Sequence, residues 1–427
     1  MNAGDAPRRR RAAVEGWSAE DLRRRLGEAL RVAARTVRHL APAGHEAETA
    51  RGIWAEKVRS ETALLLLVSQ PACAGDPELA ASHRRLAEAL LPYARSEQVA
   101  ALITLEPTVA LDHALVHLCL SRLGLGDERF DRLLAAARSS PAAASRERLP
   151  HRVLEQAWLR RLGGESPGAV DLRLPARSIL AGPLDALSST PDDVYAFTHA
   201  LMFASDLGAR PARLPRKGAG IAADAEAALA RCLDDQDYDL GGEVLLTWPL
   251  LRRRWSAPAT FGFHCLARVE DEAGFLPAPV LSLDDLAGLS GEERTRRALA
   301  LSYHTVYVMG LLCSLVLGSA VPPPRAVPRS RRYRCAAGAL LEVQDLHTEP
   351  RHWHSVLATL DDRQRDALAP LLLTIQLRRA AARRDLADIQ RMLRIAARYD
   401  LLTAPAARQA IDLLRRAALL SDMGMPA

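Results

Sequence analysis

Apolar residues return every three to four positions along almost the whole chain, in stretches separated by glycine, proline and acidic starts. That spacing places the apolar side chains of each stretch on one face of a helix. It predicts helices over 18–40, 46–70, 77–93, 107–123, 127–138, 150–162, 191–207 and 222–233, with more to Leu420. Ser18 in SAEDL and Asp361 in DDRQRDAL stand where N-caps belong, an oxygen-bearing side chain ahead of an apolar period. Two-residue alternation, the mark of a half-buried strand, is nearly absent, so the expected class is all-α. Paired helices at roughly 40-residue spacing point to stacked helical hairpins or an α/α toroid.

Three stretches interrupt the period: 163–191, the basic turn 208–220, and the proline-rich SAVPPPRAVPRSRR, 319–332. Connections this long in a helical protein are lids or domain borders. The last divides a main helical domain, 18–320, from a C-terminal helical subdomain, 333–427, while the basic segment 1–17 reads as a disordered tail. The longest apolar run, Thr305 to Val321, approaches the length of a membrane span. It carries His304 at its start and lacks flanking aromatic anchors, so it reads as a buried core helix with no membrane partner.

Composition sharpens this only in places. With 427 residues, 49% of them hydrophobic, the chain can bury a large core, and aromatics at 4% leave few strand formers. The 57 basic residues exceed the 51 acidic ones by six, but only Lys57 and Lys217 are lysines. Arginine richness alongside alanine richness is the codon habit of a GC-rich bacterial genome. With no aromatics interleaved to stack on bases, a nucleic-acid partner is not expected. The six cysteines are scattered with no CxxC pair, as in a reducing cytoplasm. The N-terminus leads into an amphipathic helix, not an apolar signal segment.

Chemistry enters with DDVYAFTHALMFASDLG, Asp192 to Gly208. On one continuous helix Tyr195, His199 and Asp206 share a face with Met202, too polar for routine core and too apolar for solvent. Other apolar stretches repeat the pattern: LPHRVLEQAWL holds His151, Arg152, Glu155 and Trp158, DYDLGGEVLLTW holds Asp239 and Glu243, FHCLARVED holds His264, and LSYHTVYV holds Tyr303, His304 and Tyr307. One such residue is readily a satisfied buried group; several in succession can satisfy each other in a shared pocket. The expected catalytic set is His199, Tyr195, Asp206, His264 and His304, with histidine carrying protons near neutral pH. Asp239, Glu243, Trp158, Arg152 and Tyr307 are expected to bind substrate.

Metal is not expected, and no other cofactor. His113 and His117 stand one turn apart but lack the glutamate of HExxH, and neither they nor His352 and His354 have a third ligand close in sequence. The acid-dense DDQDYD, 234–239, is superficially similar to the aspartate-rich box of terpene synthases, with no second metal box downstream.

Several phrases together, AEKVRSETALLLLVSQ, HLCLSRLGLGDERFDRLL, LPHRVLEQAWL, DVYAFTHALMFASDLG, DYDLGGEVLL and YHTVYVMGLL, resemble an uncharacterised all-helical actinobacterial family. The resemblance spans about residues 50–320 and implies a cytoplasmic protein of specialised metabolism, concerned with maturing ribosomally made peptides. It brings no established catalytic residues. Lanthionine cyclases, helical toroids of such pathways, hold zinc with one cysteine and an adjacent Cys-His pair. The nearest arrangement here is the reversed pair His264–Cys265 with Cys313 or Cys232. The expected function is a tailoring enzyme of natural-product biosynthesis, lanthipeptide-like cyclisation included, acting by acid–base chemistry on a peptide or small molecule. The alternative is a noncatalytic helical scaffold that binds a peptide or a partner biosynthetic enzyme.

Overall fold

The computed structural model describes residues 17–40, 55–166, 168, 171–278, 286, 288–343 and 351–422. The expected tail up to residue 16 and the start of the expected 46–70 helix lie outside these residues. The described residues form twenty α-helices joined by short 3-10 turns, with no strand among them. All-α is the observed class.

The chain opens with α1 (Ala19–Leu40), α2 (Ala55–Cys73), α3 (Pro77–Ala94) and α4 (Glu97–Leu105). Ser18 caps α1 by accepting from the Asp21 amide, 3.1 Å, and Asp76 caps α3 through the Glu78 and Leu79 amides. The expected 107–123 helix is broken at Ala114 into α5 (Ala110–His113) and α6 (Leu115–Arg122). Then come α7 (Glu128–Arg138), α8 (Pro150–Leu162) and α9 (Pro191–Ala204), the last begun by a Thr190–Asp193 capping box. Next are α10 (Gly218–Asp234), α11 (Tyr238–Leu245), α12 (Thr247–Leu250), α13 (Ala257–Ala273) and α14 (Gly291–Leu317). The C-terminal helices are α15 (Ala336–Glu342), α16 (His352–Ala358), α17 (Asp362–Ala367), α18 (Ala369–Ala382), α19 (Leu386–Arg398) and α20 (Pro405–Asp422). Asp361 caps α17 in the capping box its sequence announces.

Six helices organise the rest. α2 packs on α6, α6 on α8, α8 on α9, α9 on α11, α11 on α14, and α14 on α2, so they contact one another in a closed cycle. α1 flanks α14 and α2, α3 flanks α2 and α6, and α10 and α13 flank α11. Arg25, 1% exposed, pairs with Glu270 and with Asp271 at 2.7 Å and ties α1 to α13. Such a pair costs desolvation, and its geometry fixes which helices meet. The C-terminal helices grip the main body: Arg379 donates to Asp234 at 2.9 Å, His352 meets Glu272 at 2.9 Å, and Gln409 bonds Leu184 and Ala186. One apolar core is continuous from Leu22 to Ala410, across the expected border.

α14 is the one helix among the described residues long and apolar enough to cross a membrane, and 72% of that window is buried inside the protein. Its apolar length goes into helix packing. At Gly310 the approach is close: an added Cβ would stand 2.6 Å from Ala29 Cβ and 3.0 Å from Leu65 Cδ1.

Gly310→Ala should therefore overpack the α1–α2–α14 contact and cost about 1–3 kcal/mol in denaturant unfolding. Gly338→Ala, in α15 with nothing within 4 Å, should instead stabilise by about 0.5–1 kcal/mol. Equal stabilities for the two variants would contradict this packing.

Candidate functional site

The cycle of helices brings carboxylates and imidazoles to one end. Asp239 and Glu243 lie one turn apart on α11, the first two turns of that helix, and both turn inward as their place before VLLTW suggests. Glu243 is 3% exposed. Its Oε2 accepts from the Thr198 hydroxyl at 2.6 Å and lies 3.5 Å from His199 Nδ1, while Oε1 lies 3.7 Å from His304 Nε2. His304, in the middle of α14, reaches Glu61 of α2 with Nδ1 at 3.0 Å and Asp239 with Nε2 at 3.6 Å. Three carboxylates from two helices thus surround one imidazole.

Tyr195 and His199, one turn apart on α9, stack with ring centroids 3.7 Å apart. Arg152 of α8 donates to the Tyr195 hydroxyl at 3.2 Å and pairs with Glu155 at 2.7 Å. The phenol accepts that bond and keeps its own O–H to donate. Lys57 stands 3.7 Å from Glu61, and the Tyr303 hydroxyl donates to Glu61. His151 meets both the Tyr195 and His199 rings edge-on. Beside Arg152 and Glu155 a cavity of about 440 Å³ continues the site toward Asp112 and His113.

The electrostatics sort these groups. Burial alone would push the Glu243 carboxyl up; the imidazoles of His199 and His304 reverse that and hold it well below the usual carboxylate range. Burial likewise opposes ionisation of Glu61, and His304 overcomes it. His304 pays for burial too, yet Glu61, Glu243 and Asp239 raise its pKa well above the ordinary histidine value. It is an imidazolium at neutral pH. Asp239 is the exception: burial and the charge of Glu243 outweigh His304 and push it to about 6. Burial lifts the Tyr195 phenol to about 12, and burial with Arg152 and His199 drops His151 to about 4, so both are neutral. Asp239 and His304 are 25% and 31% exposed in their side chains, so both are open to a molecule that reaches the cluster.

The cluster thus unites Tyr195, His199, His304, Asp239 and Glu243, with Arg152 at its rim. It does not include the other four expected residues. Asp206 is not on α9 at all: the helix ends at Ala204, and Asp206 and Leu207 adopt left-handed backbone, φ 53° and 50°. Its carboxylate accepts from the Trp158 indole at 2.8 Å, which places Trp158 in the core and not at substrate. His264 bonds the Pro324 carbonyl at 3.0 Å and meets Trp17 edge-on, pinning the proline-rich crossing to α13. Tyr307 is buried with its hydroxyl 3.0 Å from Thr62. Sequence reasoning missed Glu61 and Thr198. Glu61 had a signal, a carboxylate opening the apolar run ALLLLV as Glu243 opens VLLTW.

Among the described residues no three His, Cys, Asp or Glu are arranged to hold a metal ion. His113 faces Glu56 and Glu106, His117 faces Asp131, and the break at Ala114 separates them. Cys232, Cys265 and Cys313 are wholly buried, and burial pushes each thiol up, away from the thiolate a zinc site or nucleophile requires.

A family profile described as a domain of unknown function (DUF6895) matches residues 26–314. The chain belongs to this family. The matched span runs from α1 almost to the end of α14 and encloses the whole cluster, from Lys57 to His304, while α15 to α20 lie beyond it. No curated protein and no solved structure matches the chain.

The raised Asp239 has a stability consequence with a definite sign. A carboxyl that titrates near 6 when folded and near 3.8 otherwise contributes fully below 3.8 and loses that contribution as pH rises through 6. Asp239→Asn should match the wild type near pH 4 and be more stable at pH 7.5, by about 1–3 kcal/mol in urea unfolding. A variant no more stable at pH 7.5 would contradict the placement of Asp239.

Proposed function

We propose that the protein is an acid–base enzyme, with His304 and Asp239 as the proton-transferring pair. The observation that supports this is a single partly exposed imidazolium, held by the buried Glu243 and the half-buried Glu61, beside a carboxyl that gains and loses its proton near neutral pH. In this reading Asp239, once ionised, takes a proton from the substrate, and His304 Nε2–H gives one to the atom that becomes negative. Glu61 and Glu243 hold the ring and its charge, and Thr198 orients Glu243. The Tyr195 hydroxyl, polarised by Arg152, donates to a substrate oxygen. His199 backs Tyr195 and Glu243 and is a second carrier.

The substrate is a peptide or a small molecule, and the setting is tailoring of a natural product, cyclisation included. No step runs through Cys232, Cys265 or Cys313, since these buried thiols are far from the thiolate form. The alternative of a noncatalytic scaffold leaves the partly exposed His304–Asp239 pair without a use.

Peptide and small-molecule intermediates specified by genes next to this one, incubated with the protein and followed by mass spectrometry, test the proposal. His304→Gln and Asp239→Asn should keep the fold and lower turnover by about 10²–10⁴-fold. The wild-type rate should rise with pH through about 6 and fall again well above the ordinary histidine range, and Asp239→Asn should lose the rising limb. Variants that fold and turn over like the wild type would refute it.

A further inference from the structure

The same helices have a second end. Glu61 and Pro71 are ten residues, about 15 Å, apart along α2. Around Pro71 the ends of α2, α6, α8, α12 and α14 and the exit of α9 surround a cavity of about 720 Å³. That volume is in the range of sites for small ligands. A little over half of its wall is apolar, with Leu67, Pro71, Leu162, Pro249, Leu315 and Val321. None of them belongs to the acid–base cluster.

Charge at this cavity is unbalanced. Asp206 lines it, but its oxygens are taken by the Trp158 indole and by Arg210 at 3.3 Å. Arg122 and Arg252 line it too, and no acidic side chain of the described residues pairs with either. Both follow from helix ends, where a basic side chain complements the dipole. Arg252 goes further: it occupies left-handed backbone, φ 52°, a position after a helix that glycine takes at no cost. Gly208, φ 89°, is the glycine the cavity does require, since a Cβ there would come within 2.9 Å of Leu315 Cδ2.

We propose that this cavity binds a small amphiphile, an apolar body the size of an acyl chain ended by a carboxylate or a similar anion. The apolar walls take the chain, and Arg122 and Arg252 take the anion with charge-assisted hydrogen bonds. The inference does not rest on the acid–base proposal, whose residues lie at the other end.

Titration calorimetry of the full-length protein with decanoate, decanol and decyltrimethylammonium tests it, beside sedimentation with phosphatidylglycerol vesicles. Decanoate should bind at one site, and Arg122→Gln with Arg252→Gln should weaken it at least about tenfold, as loss of a charged hydrogen bond does. Ala320→Trp, a change at an exposed residue of the cavity wall, should abolish binding without unfolding the protein. Binding of decanoate should survive His304→Gln. Three results overturn the proposal: equal binding of decanol that ignores the arginines, a preference for the quaternary ammonium, or binding to vesicles with none to free decanoate.

Discussion

A carboxylate buried between two imidazoles is the constraint on which the site depends. Glu243 is charged where charge is most costly, and it persists only because His199 and His304 come to it from different helices and Thr198 donates to it. An isolated buried carboxylate would simply protonate. The cluster therefore works as a set: Glu243 keeps His304 charged, His304 keeps Glu61 and Glu243 ionised, and Asp239, the least compensated of the three carboxylates, is left with its proton exchangeable near neutral pH. Removing one buried partner leaves another uncompensated, so these residues are coupled beyond simple addition.

Backbone spacing makes that meeting feasible. Gly242 precedes Glu243, and a Cβ on it would stand 2.6 Å from Val308 Cγ1, one turn along α14 from His304. The missing side chain lets α11 approach α14 until carboxylate and imidazole come within reach. The same device recurs at Gly262 against Leu229 and at Gly310 against Ala29.

What could be read from the sequence follows from what periodicity encodes. The helices were legible, and so was the inward turn of Asp239 and Glu243, because two carboxylates one turn apart directly before VLLTW share the face that continues into core. Tyr195 and His199 were legible for the same reason. Asp206 was misread because the 3.6-residue count runs past the true end of α9, where Leu207 N–H bonds back to the Met202 carbonyl; Gly208 and Pro211 just beyond carry the stop signal. His264 shows a deeper limit. A residue's spacing fixes its face on its own helix, but the neighbour across that face is set by tertiary packing, here the Pro324 carbonyl. Glu61 shows the same limit: Lys57, four residues earlier, is its neighbour in sequence at 3.7 Å, while His304, which it holds at 3.0 Å, comes from a distant helix.

The central claim is that His304 is held as an imidazolium by surrounding carboxylates. Nitrogen-15 NMR of the histidine rings between about pH 5 and 9 measures this directly. The account predicts that His304 keeps both ring protons through neutral pH, and that Glu243→Gln lowers its titration midpoint markedly. A His304 ring already neutral at pH 7, or one whose midpoint ignores Glu243→Gln, would contradict it.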